Sequence, residues 1–371
     1  SPQAGELSQH VVSTAEEDAA ARGDSTYSRL AAAGLYWTGM AYAHQGKYEE
    51  ARQPLLDNIA RYPTNPYADD ALFALAQFAE ITMDNRQAME YYTRIINEYP
   101  YSNARLAAHI RLAQNYIILR QYTTALSELE GATTVLNDIH KNGDTSRFET
   151  QTYVQNADEQ VLYLRGEAHN GGGRYEQALQ MFEEFINVYP QSPLMDNVLL
   201  GAGWANLNLQ KYDRAIAFYD SLLARAGSTE NIQTASARLY RLIAFKYGGK
   251  REEAKQGFLG LSVLPGYPLL GEVLLELGQM YYEDGQLIEA QRALERAERE
   301  STNGLTSVRI QILLGEVQLE NGNYDKAEKA FAKAEEVTLK SSSRFIPDKS
   351  VYLTEARFRR GIALAVVHRY S

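Results

Sequence analysis

"LYWTGMAYAHQGKYEEARQPLLDNIARYP", residues 35–63, is the stretch whose reading decides the fold. Its apolar residues fall at i, i+3, i+4 and i+7, the period of a helix with one buried face. Gly46 separates two such runs, and glycine can take the positive φ of a tight turn. Pro63 follows the second run, and proline turns the residue before it away from helical geometry. The pattern then returns. Ala51, Ala88 and Ala125 lie 37 residues apart, as do Ala178 and Ala215, and Pro63 and Pro100. A fixed period of about 20 to 50 residues marks a solenoid of stacked units, and stacked units make binding surface. No step of this reading calls for a strand.

The first unit places Leu35, Gly39, Tyr42, Gly46, Tyr48, Ala51, Leu55 and Pro63 at places 4, 8, 11, 15, 17, 20, 24 and 32. Later copies follow the same frame. The second carries Leu72, Ala76, Ala88, Tyr92 and Pro100, and the third Leu112, Ala113, Tyr116, Ala125 and Leu129. The fourth carries Leu162, Gly166, Tyr175, Ala178, Phe182 and Pro190, and the fifth Leu199, Gly203, Tyr212, Ala215 and Tyr219. The sixth keeps Gly249, Ala254 and Phe258, but Arg238 stands at the usual large position and predicts an irregular first helix. The seventh carries Leu274, Gly278, Tyr281, Gly285, Ala290 and Leu294, and the eighth Gly315, Gly322, Tyr324, Ala327 and Phe331.

This order of large, small, aromatic, glycine turn, alanine, large and proline resembles the tetratricopeptide repeat (TPR). The resemblance runs over residues 32–340 and implies an all-α, right-handed superhelix (an alpha-alpha solenoid) of about eight units. Residues 1–31 read as an N-terminal helix (Glu6–Ala21) and turn, and 341–371 as a loop and the first helix of an incomplete ninth unit. Small residues at places 8 and 20 let the paired helices approach closely.

Composition agrees with a soluble packed chain: 45% of residues are hydrophobic and 23% charged. Length alone suggests two or three domains, but a continuous solenoid has no internal boundary. The net charge of −10 argues against a general nucleic-acid surface, which needs a basic stripe, and against an anionic membrane surface. There is no cysteine, so disulfides, thiolate metal sites, a cysteine nucleophile and a lipidated cysteine are excluded. No apolar run approaches the roughly 20 residues of a membrane span. The chain opens at Ser1 without a signal-peptide pattern and reads as a processed product.

Two breaks interrupt the period. Ala125 and Ala178 are 53 apart, so extra residues fall between about 138 and 158, and an early start to the next helix is expected there. Ser341–Ser350, with Pro347, reads as loop. The junctions "YPTNPYADDA" (62–71), "YPYSNARLAA" (99–108) and "YPQSPLMDNV" (189–198) share Tyr-Pro, a small polar residue and a helix start. They resemble TPR proteins of the bacterial cell envelope, of the outer-membrane assembly lipoprotein and Tol-Pal coordinator type. That implies a periplasmic or outer-membrane-associated location, with a cytoplasmic one otherwise. The assembly lipoprotein's N-terminal cysteine is missing here.

Catalytic and metal chemistry find no footing. The histidines at 10, 44, 109, 140, 169 and 368 never pair at i+3 or i+4, the helical spacing for two metal ligands. "HNGGGR" (169–174) lacks the Lys-Ser/Thr of a phosphate loop and sits where an inter-helix turn belongs. Glu49-Glu50, Glu183-Glu184 and Glu252-Glu253 read as solvated helix surface. Neither a cofactor nor a metal is expected, and the chain is read as non-enzymatic.

What remains is the groove. In the TPR family first helices line a concave face through places 2, 5, 9, 12 and 13. The resemblance carries these onto Tyr36, Met40 and His44, then Phe73, Gln77 and Glu80, then Ile110, Gln114 and Ile117. Next come Tyr163, Glu167 and Asn170, and Leu200, Trp204, Leu207 and Asn208. The last sets are Leu275, Gln279 and Tyr282, and Arg309, Ile312 and Glu316. The groove is aromatic, aliphatic, amide and acidic, so it lacks the Lys, Arg and Asn clamp that some TPR domains use on acidic tails. The expected partner is a protein or peptide of apolar or basic character, bound by a scaffold or adaptor. The alternative is a receptor-like module holding a small ligand or short peptide. At the end of the chain, Phe358, Gly361, Leu364 and Tyr370 take places 5, 8, 11 and 17 of a ninth unit. Phe358, Ile362, Ala365, Val366 and Val367 then form an apolar stripe with no partner helix. A longer protein, a partner subunit or self-association is expected to cover it.

Overall fold

The structure, a computed structural model, describes residues 14, 25–142, 156–342, 346 and 348–370. Among these, all regular structure is helical, in seventeen helices. The chain divides into two compact units, Ser1–Gly172 and Gly173–Ser371. The division falls inside the run Gly171-Gly172-Gly173.

The first unit holds α1 (Ser25–Ala43), α2 (Tyr48–Arg61), α3 (Ala68–Ile81), α4 (Asn85–Glu98), α5 (Arg105–Ile118), α6 (Tyr122–Asn142) and α7 (Ala157–Gly171). The second opens with α8 (Tyr175–Val188), α9 (Met195–Asn208), α10 (Tyr212–Ala226), α11 (Ile232–Tyr247) and α12 (Arg251–Ser262). It continues with α13 (Leu270–Glu283), α14 (Leu287–Glu300), α15 (Gly304–Glu320), α16 (Tyr324–Lys340) and α17 (Lys349–Tyr370). Within each unit consecutive helices pack on one another, and short turns make them antiparallel.

The repeat is written into the core. The alanines at place 20 (51, 88, 125, 178, 215, 254, 290 and 327) are all fully buried. So are the residues four positions on: Leu55, Tyr92, Leu129, Phe182, Tyr219, Phe258, Leu294 and Phe331. Four of these knobs enter sockets left by glycine. A methyl group added at Gly39, Gly203, Gly278 or Gly315 would come closer than 3.0 Å to Leu55, Tyr219, Leu294 or Phe331 respectively.

The turn is written into the backbone. Positive φ recurs at Gly46, Met83, Arg120, Gly173, Gln210, Gly249, Gly285 and Gly322, once in every repeat. Met83, Arg120 and Gln210 take φ of 62°, 59° and 59° without being glycine. The turn geometry is therefore imposed by the helix pair, at some strain where a side chain is present.

One expectation changes. α11 is regular, not irregular, and opens on an Asn231–Thr234 capping box. In its repeat the large residue has moved to the first helix: Leu242 fills the space over Gly257 on α12. Arg238 is accommodated by a two-pronged bond to Glu230 at 2.6 and 2.7 Å. α6 reaches 21 residues and α7 opens at Ala157 after left-handed Asn156; the early helix start expected in the insertion falls on residues outside the described ones. Residues 143–155 and the helix expected over Glu6–Ala21 lie outside the described residues, apart from Thr14.

Candidate functional site

In the second unit the first helices of the last repeats, α13, α15 and α17, border an open cavity of about 380 Å³. The 14-residue α13 and 17-residue α15 present residues spaced by four and three, so each turn adds one side chain to the same face. α13 contributes Leu275, Gln279, Tyr282 and Glu283, α15 contributes Arg309, Ile312, Leu313 and Glu316, and α17 contributes Tyr352 and Glu355. Gln279, Tyr282 and Glu316, three of the groove residues expected from the repeat frame, thus come together with Leu275, Arg309 and Ile312.

The polar side chains of this cavity are braced. Gln279 Nε2 donates to Glu283 Oε1 at 2.9 Å, and Arg251 Nη1 donates to Glu283 Oε2 at 2.8 Å. Tyr282 donates its hydroxyl to Glu320 at 2.6 Å; burial first, then that carboxylate, push the phenol well above its ordinary value. Glu316 is paired with Arg359, which also reaches Glu355 at 3.3 Å. Burial raises the Glu316 carboxyl above the usual carboxylate range, and Arg359 opposes that rise. Arg309 sits 3.4 Å from Glu276. Leu275, Ile312, Leu313 and Tyr352 supply an apolar wall. Chemically this arrangement can seat an apolar side chain and hold a cation or amide at its rim.

Farther along the same unit, Trp204 on α9 is 37% exposed. Its ring lies 5.0 Å from Tyr240 on α11, and its carbonyl accepts from Asn208 Nδ2 at 2.8 Å. Asn208 is exposed.

In the first unit the expected residues behave differently from one another. Phe73 is buried in the repeat core, its ring 5.7 Å from that of Tyr92. Met40 is half-buried on the same core. Tyr36 stacks on Tyr67 at 5.0 Å and meets Trp37 edge-on at 5.1 Å. Gln77 is exposed, Glu80 half-buried, and Gln114 half-buried with Arg111 at 3.4 Å. Tyr163 and Glu167 form a hydrogen-bonded pair one turn apart on α7. Burial pushes the Glu167 carboxyl up to about 7, partly offset by the tyrosine's hydrogen bond.

Several residues were not foreseen. Trp37, 55% exposed, and Tyr67 complete an aromatic cluster with Tyr36. Glu283 falls at place 13, a groove position, so its signal was present. Tyr352 precedes place 1 of the ninth unit and had none, because only the added length of α17 brings it to the cavity. Among the described residues no group of three His, Asp or Glu is arranged to hold a metal ion, and no helix is long and apolar enough to cross a membrane.

Comparison with curated proteins gives no match. Solved structures share the fold. A tetratricopeptide repeat protein from Parabacteroides merdae is 18% identical, with 88% of this chain and 98% of that one covered and a TM-score of 0.48. The apo form of the quorum sensor NprR from B. thuringiensis is 13% identical, covering 78% and 80%, with a TM-score of 0.50. NprR in complex with its cognate peptide NprX is 15% identical, covering 78% and 83%, at 0.49. The family pattern described as Tetratricopeptide repeat matches residues 14–66, 163–230 and 275–341, and a second pattern of the same description matches 70–102. With half of the chain matched by the first pattern alone, and with the eightfold knobs and turns described above, the chain belongs to the tetratricopeptide repeat family.

Proposed function

We propose that this chain is a non-catalytic scaffold that binds a segment of a partner protein along its first helices, in a bacterial envelope assembly. The observation that carries the reading is the cavity between α13, α15 and α17, open at the surface and lined by braced polar groups over an apolar wall. Members of the family mediate protein–protein interactions. The Tyr-Pro junctions at 62–71, 99–108 and 189–198 support the envelope assignment. The preferred segment is apolar and basic. Among the residues lining the cavity Glu283, Glu316 and Glu355 outnumber Arg309, and like charges across an interface are costly.

The test is a titration with paired fluorescent peptides that differ only in carrying Lys or Glu beside an apolar anchor. The Lys peptide binds more tightly at low salt, and Glu316→Lys reverses the order. Trp204→Ala weakens a peptide long enough to reach α9 by more than about 1 kcal/mol. Equal affinity of the paired peptides at low salt would defeat the charge preference.

A second reading is a receptor-like module for a small ligand or short peptide. The cavity volume favours it, since small-molecule sites begin at about 300 Å³. Under that reading, lengthening the peptide beyond the cavity adds no affinity.

A further inference from the structure

The cavity between α13, α15 and α17 is charged unequally at its two ends. The three helices run parallel, as alternate members of an antiparallel series do. Along α15 the lining side chains come in the order Arg309, Ile312, Leu313, Glu316. α13 likewise passes from Leu275 to Glu283, and α17 from Tyr352 to Glu355. Each helix ends its lining stretch on a glutamate, and the one lining arginine stands at the opposite end. Arg309 and Glu316 are about two turns apart, roughly 10 Å along the axis, with the apolar wall between them.

At the Arg309 end one carboxylate serves two cations. Glu276 accepts from Lys246 at 2.9 Å, and both side chains are sealed from solvent. Arg309 reaches that carboxylate only through Nη2 at 3.4 Å, longer than a charge-assisted bond. It has no other hydrogen bond among the described residues, and its side chain is 46% exposed. This cluster keeps one positive charge. At the far end one cation serves two carboxylates, because Arg359 holds both Glu316 and Glu355. That cluster keeps one negative charge. Glu283 leaves the balance unchanged, since Arg251 and Lys255 match Glu283 and Asp284. Outside the lining, Glu320 accepts from Tyr282 and deepens the negative end. Glu272, one turn farther out on α13 than Glu276, accepts from Thr306.

Resting on the reading of this cavity as a binding site, we propose that it takes the C-terminal lysine or arginine of a peptide, with the terminal carboxylate on Arg309 and the cationic head at Glu316 and Glu355. Such a residue is a carboxylate and a cation joined by an apolar stem, which is the charge order of the cavity. The carboxylate accepts from the open donors of Arg309, whose planar fork suits two parallel bonds. The methylenes of the stem lie on Ile312, Leu313 and Tyr352, as long basic side chains lie on apolar surface. The head group then meets the two carboxylates that share Arg359. A free basic amino acid fits less well, because its α-ammonium would stand beside Lys246 and Arg309. A ligand with only one of the two charges leaves one end of the cavity unmatched.

Titrations at low salt with three labelled peptides test it. One ends in lysine with a free carboxylate, the second in lysine amide, and the third in norleucine with a free carboxylate. The first is expected to bind about tenfold or more tighter than either of the others. Arg309→Gln should bring the ratio of free acid to amide close to one. Glu316→Gln should shrink the ratio of lysine to norleucine severalfold. Each ratio is read within one protein, so a general loosening of the fold does not mimic it, and helical circular dichroism checks that the fold is kept. The dipolar compound ε-aminocaproate should displace the lysine peptide where hexanoate and hexylamine do not. Equal affinity for the free acid and the amide overturns the proposal, as does a ratio indifferent to Arg309→Gln, and both leave the groove reading standing. Free lysine competing as well as the lysine peptide overturns the choice of a peptide terminus. Failure of every lysine peptide to bind would strike the groove reading, and this inference with it.

Discussion

Lys246 Nζ donates to Glu276 Oε2 at 2.9 Å, with both side chains sealed from solvent at 3% and 7% exposure. The bond ties α11 to α13, and Arg309 on α15 approaches the other carboxylate oxygen at 3.4 Å. Three successive first helices are thereby pinned at one carboxylate beside the cavity. Removing one partner of a buried pair leaves an uncompensated charge, whereas replacing both can be close to neutral. Lys246→Met is therefore expected to cost about 3–5 kcal/mol. The double variant Lys246→Met/Glu276→Leu should recover most of that loss. Urea midpoints of the three proteins check both statements.

The turn residues lend themselves to a direct exchange. Arg120 holds φ of 59° with a side chain present, while Gly285 holds 72° without one. Arg120→Gly should stabilise the chain by about 0.5–1 kcal/mol, because the left-handed region disfavours side chains by more than glycine loses in entropy. Gly285→Ala should destabilise it by about 1 kcal/mol. Thermal melts of the two variants should shift in opposite directions.

Gly315 and Gly361 occupy the same place of the frame in different surroundings. Gly315→Ala drives a methyl into the Phe331 ring and should cost about 1–3 kcal/mol. Gly361→Ala meets open space and should gain about 1 kcal/mol in helix propensity. Chemical denaturation separates the pair, and equal effects would mean that the eighth socket is looser than its contacts imply.

Glu167 predicts a pH dependence. Its carboxyl is raised to about 7 in the folded chain, chiefly by burial, against an ordinary value of 4.5. The folded state therefore holds this proton more tightly than the unfolded state. The stability it confers is fully present below pH 4.5 and is lost as pH rises to about 7. The loss amounts to at most about 3 kcal/mol. Glu167→Gln, which stays neutral, should flatten the stability profile between those limits. An unchanged slope in denaturant titrations would show that Glu167 ionises freely.

The fold was legible because its determinants are local and repeated. An alanine at place 20 with a large residue four positions on needs only helical geometry to be recognised as a packing pair. All eight such pairs are fully buried. Compensation across a helix pair was not legible. Leu242 over Gly257 preserves the volume of its interface while breaking the single-helix pattern, so Arg238 was misleading. The site was legible in part for the same reason. Gln279, Tyr282 and Glu316 sit at frame positions and do line one cavity.

The amino-acid sequence by itself determined the helices, their pairing, the period and the places of the turns, since each depends on contacts within about 37 residues. Only the tertiary structure decided which groove positions border the cavity. Phe73, Leu275 and Ile312 share a place and are all buried, but Leu275 and Ile312 border the cavity while Phe73 meets the Tyr92 ring. That outcome depends on how neighbouring repeats sit against one another. Likewise only the three-dimensional arrangement showed which glycine sockets are filled, as Gly39, Gly203, Gly278 and Gly315 are by the side chain sixteen residues on.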